Sequence, residues 1–188
     1  MEKESGKQNN IKLGVKFIIG FHMLNLLMFT VGQGGAVVSY DTVAEWGLQE
    51  ARDTVDPVLV VINRGIGLAD VIIGVPLFIL AIIGLWRQRY WGCVASWMVF
   101  AVSLYWTTVA WCKQYFYLQA SVQCEPFNAG THGVLAFVFL FSLWGSWYLF
   151  KKRQWIVYHD VSIHICTEKN RQQKRRATNS LYLQLDES

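Results

Sequence analysis

The sequence predicts an all-α membrane protein, a four-helix transmembrane bundle running up-down-up-down with both termini inside. Three observations predict it. Hydrophobic residues make up 53% of the 188-residue chain and charged residues 16%, against about 45–50% and 25% in an average soluble protein. Four apolar runs each reach the roughly 20 residues needed to cross a bilayer core. Fourteen of the seventeen Lys and Arg fall in the N-terminal segment, the 87–89 connection and the tail. Such a one-sided basic excess marks cytoplasmic segments.

Three regions follow: a basic cytoplasmic N-terminus (1–16), a transmembrane domain (17–150) and a basic cytoplasmic tail (151–188). The spans are expected at about 17–36, 64–86, 90–112 and 129–150. The first opens after Lys3, Lys7, Lys12 and Lys16. A basic start, an apolar run and the small residues Gly34-Gly35-Ala36 also suit a secretory leader, but the run is long and carries His22 and Asn25. An uncleaved anchor is the expectation.

Residues 37–62 form an acidic outer connection. Asp41 is expected to cap a short helix through Ala51 that rests Val43, Trp46 and Leu48 on the membrane surface. Asp56-Pro57 reads as a second helix start, because proline suits the first helical position. The following span, Asn63 to Trp86, organises the rest. Asn63, Gly67, Asp70, Gly74, Leu77, Ala81 and Gly84 share one of its faces. Glycines there let another helix approach, and an unpaired carboxylate in lipid costs about 2.5–3.5 kcal/mol on insertion scales. The seam therefore faces protein, and Pro76 bends the helix.

Arg87-Gln88-Arg89 is so short that the second and third spans must be antiparallel neighbours. On the third span Gly92, Ser96, Val99, Ser103, Trp106 and Ala110 share a face. Trp86, Tyr90, Trp91, Trp144, Trp147 and Tyr148 mark the inner interface, and Trp106, Trp111, Tyr115 and Tyr117 the outer one. In the tail, 154–166 alternates like a strand, and 169–176 is a basic run expected to be disordered, with binding to anionic lipid headgroups as the alternative.

The site candidates come from depth. At about 1.5 Å per residue, Asp70, Gln33, Thr107, Thr108 and His132 all lie roughly 5–9 Å below the outer boundary, beneath Arg64. They are expected to form one outward-facing polar cluster around Asp70, a ligand site or a hydrogen-bond network satisfying the carboxylate. His22 and Asn25 lie deeper and are expected to bond a neighbouring helix. Cys93 reads as a core residue, whereas Cys112 and Cys124 fall on the outer side, where a disulfide could close their loop.

No phosphate-binding glycine loop, HExxH, nucleophile elbow, CxxC or N-x-S/T site occurs, and His159, His164 and Cys166 lack zinc spacing. No catalytic residue, metal or cofactor is expected. The lipid bilayer is the expected partner, with a membrane-protein partner or a homo-oligomer beside it, and nucleic acid is not. The sequence thus reads as a non-enzymatic accessory or structural protein of the plasma membrane. The alternative is a unit that binds or transports a small solute, lipid or proton at Asp70.

Overall fold

A computed structural model of the chain describes residues 11–152 together with 171 and 172. It is helical, with no strand among the described residues. Four helices are long and apolar enough to cross a membrane: α1 (Leu13–Val38), α3 (Pro57–Trp86), α4 (Tyr90–Gln119) and α5 (Ala129–Lys152). A short helix, α2 (Tyr40–Glu45), lies in the connection between α1 and α3. The architecture is that of a multi-pass membrane protein. Residues 1–10 and the tail positions singled out above, among them His159, His164 and Cys166, lie outside the described residues.

Helix ends follow local chemistry. Asp56 caps α3, its Oδ1 accepting from the Val58 N–H at 2.9 Å, with Pro57 in the first turn. Asn128 caps α5 by accepting from the Thr131 N–H at 2.9 Å. In α2 the cap differs from expectation. Ser39, not Asp41, precedes the helix, and its hydroxyl bonds Thr42 Oγ1 at 2.8 Å. The helix stops at Glu45 because Gly47 takes φ +70°. The N–H groups of Gly47 and Leu48 then return to the carbonyls of Ala44 and Val43. Val43 is consequently buried and Leu48 packs inward, while Trp46 stays exposed.

The two expected seams are the faces the fold covers. Gly67, Gly74, Ala81 and Gly84 on α3, and Gly92, Ser96, Val99 and Ser103 on α4, are all buried. At the α3–α4 turn Gly84 and Gly92 meet backbone to backbone, and Gln88 takes φ +53° to reverse the chain. α5 covers α1 and α4. Its Phe141 ring stacks on Phe21 at 4.2 Å, its Gly145 admits the Phe100 ring, and its Ser146 carbonyl accepts from Trp97 Nε1 at 3.3 Å. Gly14, near the start of α1, lies against Tyr148, near the end of α5.

Both α1 and α3 contain one π-helical turn, Phe29–Gly34 and Asp70–Gly74, and these two turns pack on each other. The turn in α3 precedes Pro76, which has no N–H to offer the preceding turn and whose ring crowds it. A widened turn relieves both problems. In α1 the Thr30 hydroxyl bonds back to the Leu26 carbonyl at 2.8 Å within a glycine-rich stretch.

The connections after α1 and after α4 close into a cap together with the adjoining helix ends. Tyr40, Val43, Val55, Leu59 and Val60 form its buried cluster, with Tyr117, Val122 and Cys124 packed against it. The Asp56 N–H donates to the Gln123 carbonyl at 2.9 Å, and Gln123 Nε2 donates to the Asp53 carbonyl at 3.2 Å.

Candidate functional site

Asp70 opens the π-turn of α3, and Gly67 lies one turn before it on the same seam. Because residue 67 has no side chain, α1 comes close. A Cβ there would stand 2.8 Å from the Gln33 carbonyl oxygen and 3.3 Å from Gln33 Oε1. The Gln33 amide is thus set against the seam that carries Asp70. Gly34 and Gly74 extend the contact, their positions facing Val71 and the Phe29 ring at 3.4 Å. Asp70 is half-buried, and its Oδ2 is buried without a hydrogen-bond partner.

The other expected members of the cluster are turned elsewhere. Thr107 is buried, and its hydroxyl donates to the Ser103 and Leu104 carbonyls of its own helix at 3.0 and 3.1 Å. Thr108 is exposed and bonds the Leu104 carbonyl at 2.8 Å. His132 is exposed on α5, where its Nδ1 accepts from Trp111 Nε1 at 3.2 Å. Arg64 reaches sideways to the Val37 carbonyl at 3.0 Å. The structure therefore sets Gln33 beside the Asp70 seam and shows no hydrogen bond from either Thr or from His132 to the carboxylate.

A second polar group lies under the cap, and sequence reasoning missed it. Lys113 Nζ donates to Asn63 Oδ1 at 3.3 Å and stands 5.5 Å from the Tyr117 ring centroid. Glu50 is half-buried beside them. Burial raises its pKa above the ordinary glutamate value, Glu125 adds to the rise, and Lys113 and the Asn63 amide oppose it. The Tyr40 hydroxyl is buried near Asn63 without hydrogen-bond geometry, and burial raises its pKa too. At the cap surface Arg52 pairs with Asp41 and lies 5.2 Å over the Tyr40 ring. The available signal was Lys113, the lone basic residue between Arg89 and Lys151.

Cys112 and Cys124 are free thiols. The Cys124 sulfur faces Gln114, whose Nε2 donates to it at 3.9 Å, while Cys112 is exposed. Positions 112 and 114 differ by about 200° around a helix, so the first cysteine points away from the second. Deeper in the bundle, the Asn25 amide donates to the Phe21 carbonyl of its own helix at 2.8 Å. His22 is fully buried with both nitrogens unpartnered, ringed by Phe21, Phe78 and Phe100 at 5.0–6.1 Å. Neither makes the interhelical bond expected of it.

The chain matches no protein-family model, no curated protein and no solved structure.

Proposed function

We propose that this chain is a non-enzymatic accessory or structural protein of the plasma membrane that packs against a membrane-protein partner or a second copy of itself. The observation that carries the reading is where the hydroxyls go. Ser96, Ser103, Thr107, Thr108 and Ser142 each donate to a carbonyl of their own helix. Such bonds satisfy each hydroxyl within its own helix, so these five contribute to no shared polar site. Outward faces are apolar, with Val61, Ile72, Ile73 and Leu80 of α3 exposed to lipid or to another protein. Up-down-up-down topology with both termini cytoplasmic is part of the proposal. The basic excess supports it, as does the meeting of Gly14 with Tyr148.

The test is isolation of the full chain in mild detergent, with mass measurement of the intact particle. A stoichiometric membrane partner or a homo-oligomer is expected. A monomer carrying only a small bound molecule overturns the reading.

One observation favours a second reading, a small-solute, lipid or proton site open to the outside at Asp70. Asp70 carries a buried carboxylate oxygen with no hydrogen-bond partner. Labelling of Gln33→Cys by a membrane-impermeant thiol reagent, above the parent chain, is the expected result. A sealed position 33 ends that reading.

A further inference from the structure

We propose that Asp70 and Gln33 form a site for a monovalent cation between the π-turns of α1 and α3. This rests on the second reading above and names its ligand.

Asp70 is the only acidic residue in the four membrane helices. A carboxylate in hydrocarbon needs a donor or a counter-ion. The charged and titratable side chains on the surrounding elements are committed or remote. Arg64 is held by the Val37 carbonyl, Lys113 by Asn63, and His132 by Trp111. His22 sits about three turns deeper than Gln33 on α1, among phenylalanine rings. The hydroxyl of Thr107 donates to its own backbone. The side chains of Asp70 and Gln33 make no hydrogen bond to any described residue.

What α1 brings to that stretch of α3 is oxygen. Gln33 Oε1 and the Gln33 carbonyl stand against Gly67, one turn before Asp70 on the same face, and Asp70 Oδ2 is buried without a partner. Carboxylate and carbonyl oxygens suit hard cations. A single negative charge selects a monovalent ion, because a divalent one would leave net positive charge in the bilayer. Discontinuous helices bind sodium or protons near the membrane interior for the same reason. A sodium ion and a proton do the same chemistry here: each neutralises Asp70.

The full-length protein in detergent is unfolded thermally, with tryptophan fluorescence as the readout. In one arm sodium chloride replaces choline chloride at constant ionic strength and pH 8. In the other, pH falls to 5.5 in choline. Wild type is expected to gain about 2–4 °C in at least one arm. Asp70→Asn, the neutral isostere, is expected to lack that gain, and Gln33→Leu to reduce a sodium gain. Because other carboxyls titrate, the acid arm is read as the difference between wild type and Asp70→Asn. A difference in the sodium arm assigns a metal cation, and one in the acid arm alone assigns a proton. Equal behaviour of the two proteins in both arms overturns the cation site. If Gln33→Cys is still labelled from outside in that case, the outward site stands with another ligand; if it is not labelled, both inferences fall.

Discussion

Gly84 and Gly92 touch backbone to backbone across the α3–α4 turn, so that a Cβ on either residue would overlap main-chain atoms of the other. Main chain cannot swing aside as a flexible side chain can. Gly84→Ala and Gly92→Ala are each expected to destabilise the bundle by about 1–3 kcal/mol, the usual range for overpacking. Gly20→Ala, where nothing lies within 4 Å, serves as the control. Denaturant unfolding in mixed micelles checks this, and an unshifted midpoint for both hairpin variants would refute the close contact.

Gly145 faces the Phe100 ring, which is fully buried at the centre of the bundle. Here the obstacle is a side chain that can be shortened. Gly145→Ala alone is expected to lower stability by about 1–3 kcal/mol. Adding Phe100→Leu should recover part of that loss, giving a non-additive double-mutant cycle. Strict additivity in the same unfolding assay would contradict the pairing.

His22 has no hydrogen bond to lose. Replacing a buried, unpartnered polar group by an apolar one of similar size is neutral or stabilising. His22→Leu is therefore expected to hold or raise the unfolding midpoint. A marked loss of stability would mean that the imidazole holds a group it does not hold in this structure.

Glu50 is expected to make the cap sensitive to pH. Its pKa is raised above the ordinary value of 4.5, burial being the main cause. A carboxyl raised on folding binds its proton more tightly in the native state, so its contribution is complete in acid. It is lost as pH climbs from 4.5 through the raised native value. Hydrogen exchange of residues 40–56 should accordingly quicken over that window in wild type. Glu50→Gln should hold the slow exchange throughout, and an identical pH profile in the variant would rule out Glu50 as the cause.

What the sequence made legible was rotation within a helix, not rotation between helices. Small residues at three- and four-residue spacing on α3 and α4 gave the covered faces, because close approach selects Gly, Ala and Ser directly. Depth arithmetic placed Thr108 and His132 level with Asp70 yet said nothing of azimuth, and both are exposed. The cap stayed hidden because Glu50 and Glu125 come from two separate connections and Asn63 and Lys113 from α3 and α4, and only folding brings the four together. The first of these connections also ends its helix early, since Gly47 adopts a left-handed conformation that residue identity permits but does not impose. Of the two π-turns, Pro76 hinted at one as a bend; the turn at Phe29–Gly34 has no comparable mark.

A π-turn is an ordinary helical stretch with one surplus residue looped into it. Cutting a single residue from 71–73 would set the Pro76 ring against an ordinary, tighter turn that it crowds, so α3 would kink there. The surplus residue thus accommodates the proline, and the local shape around Asp70 comes with it.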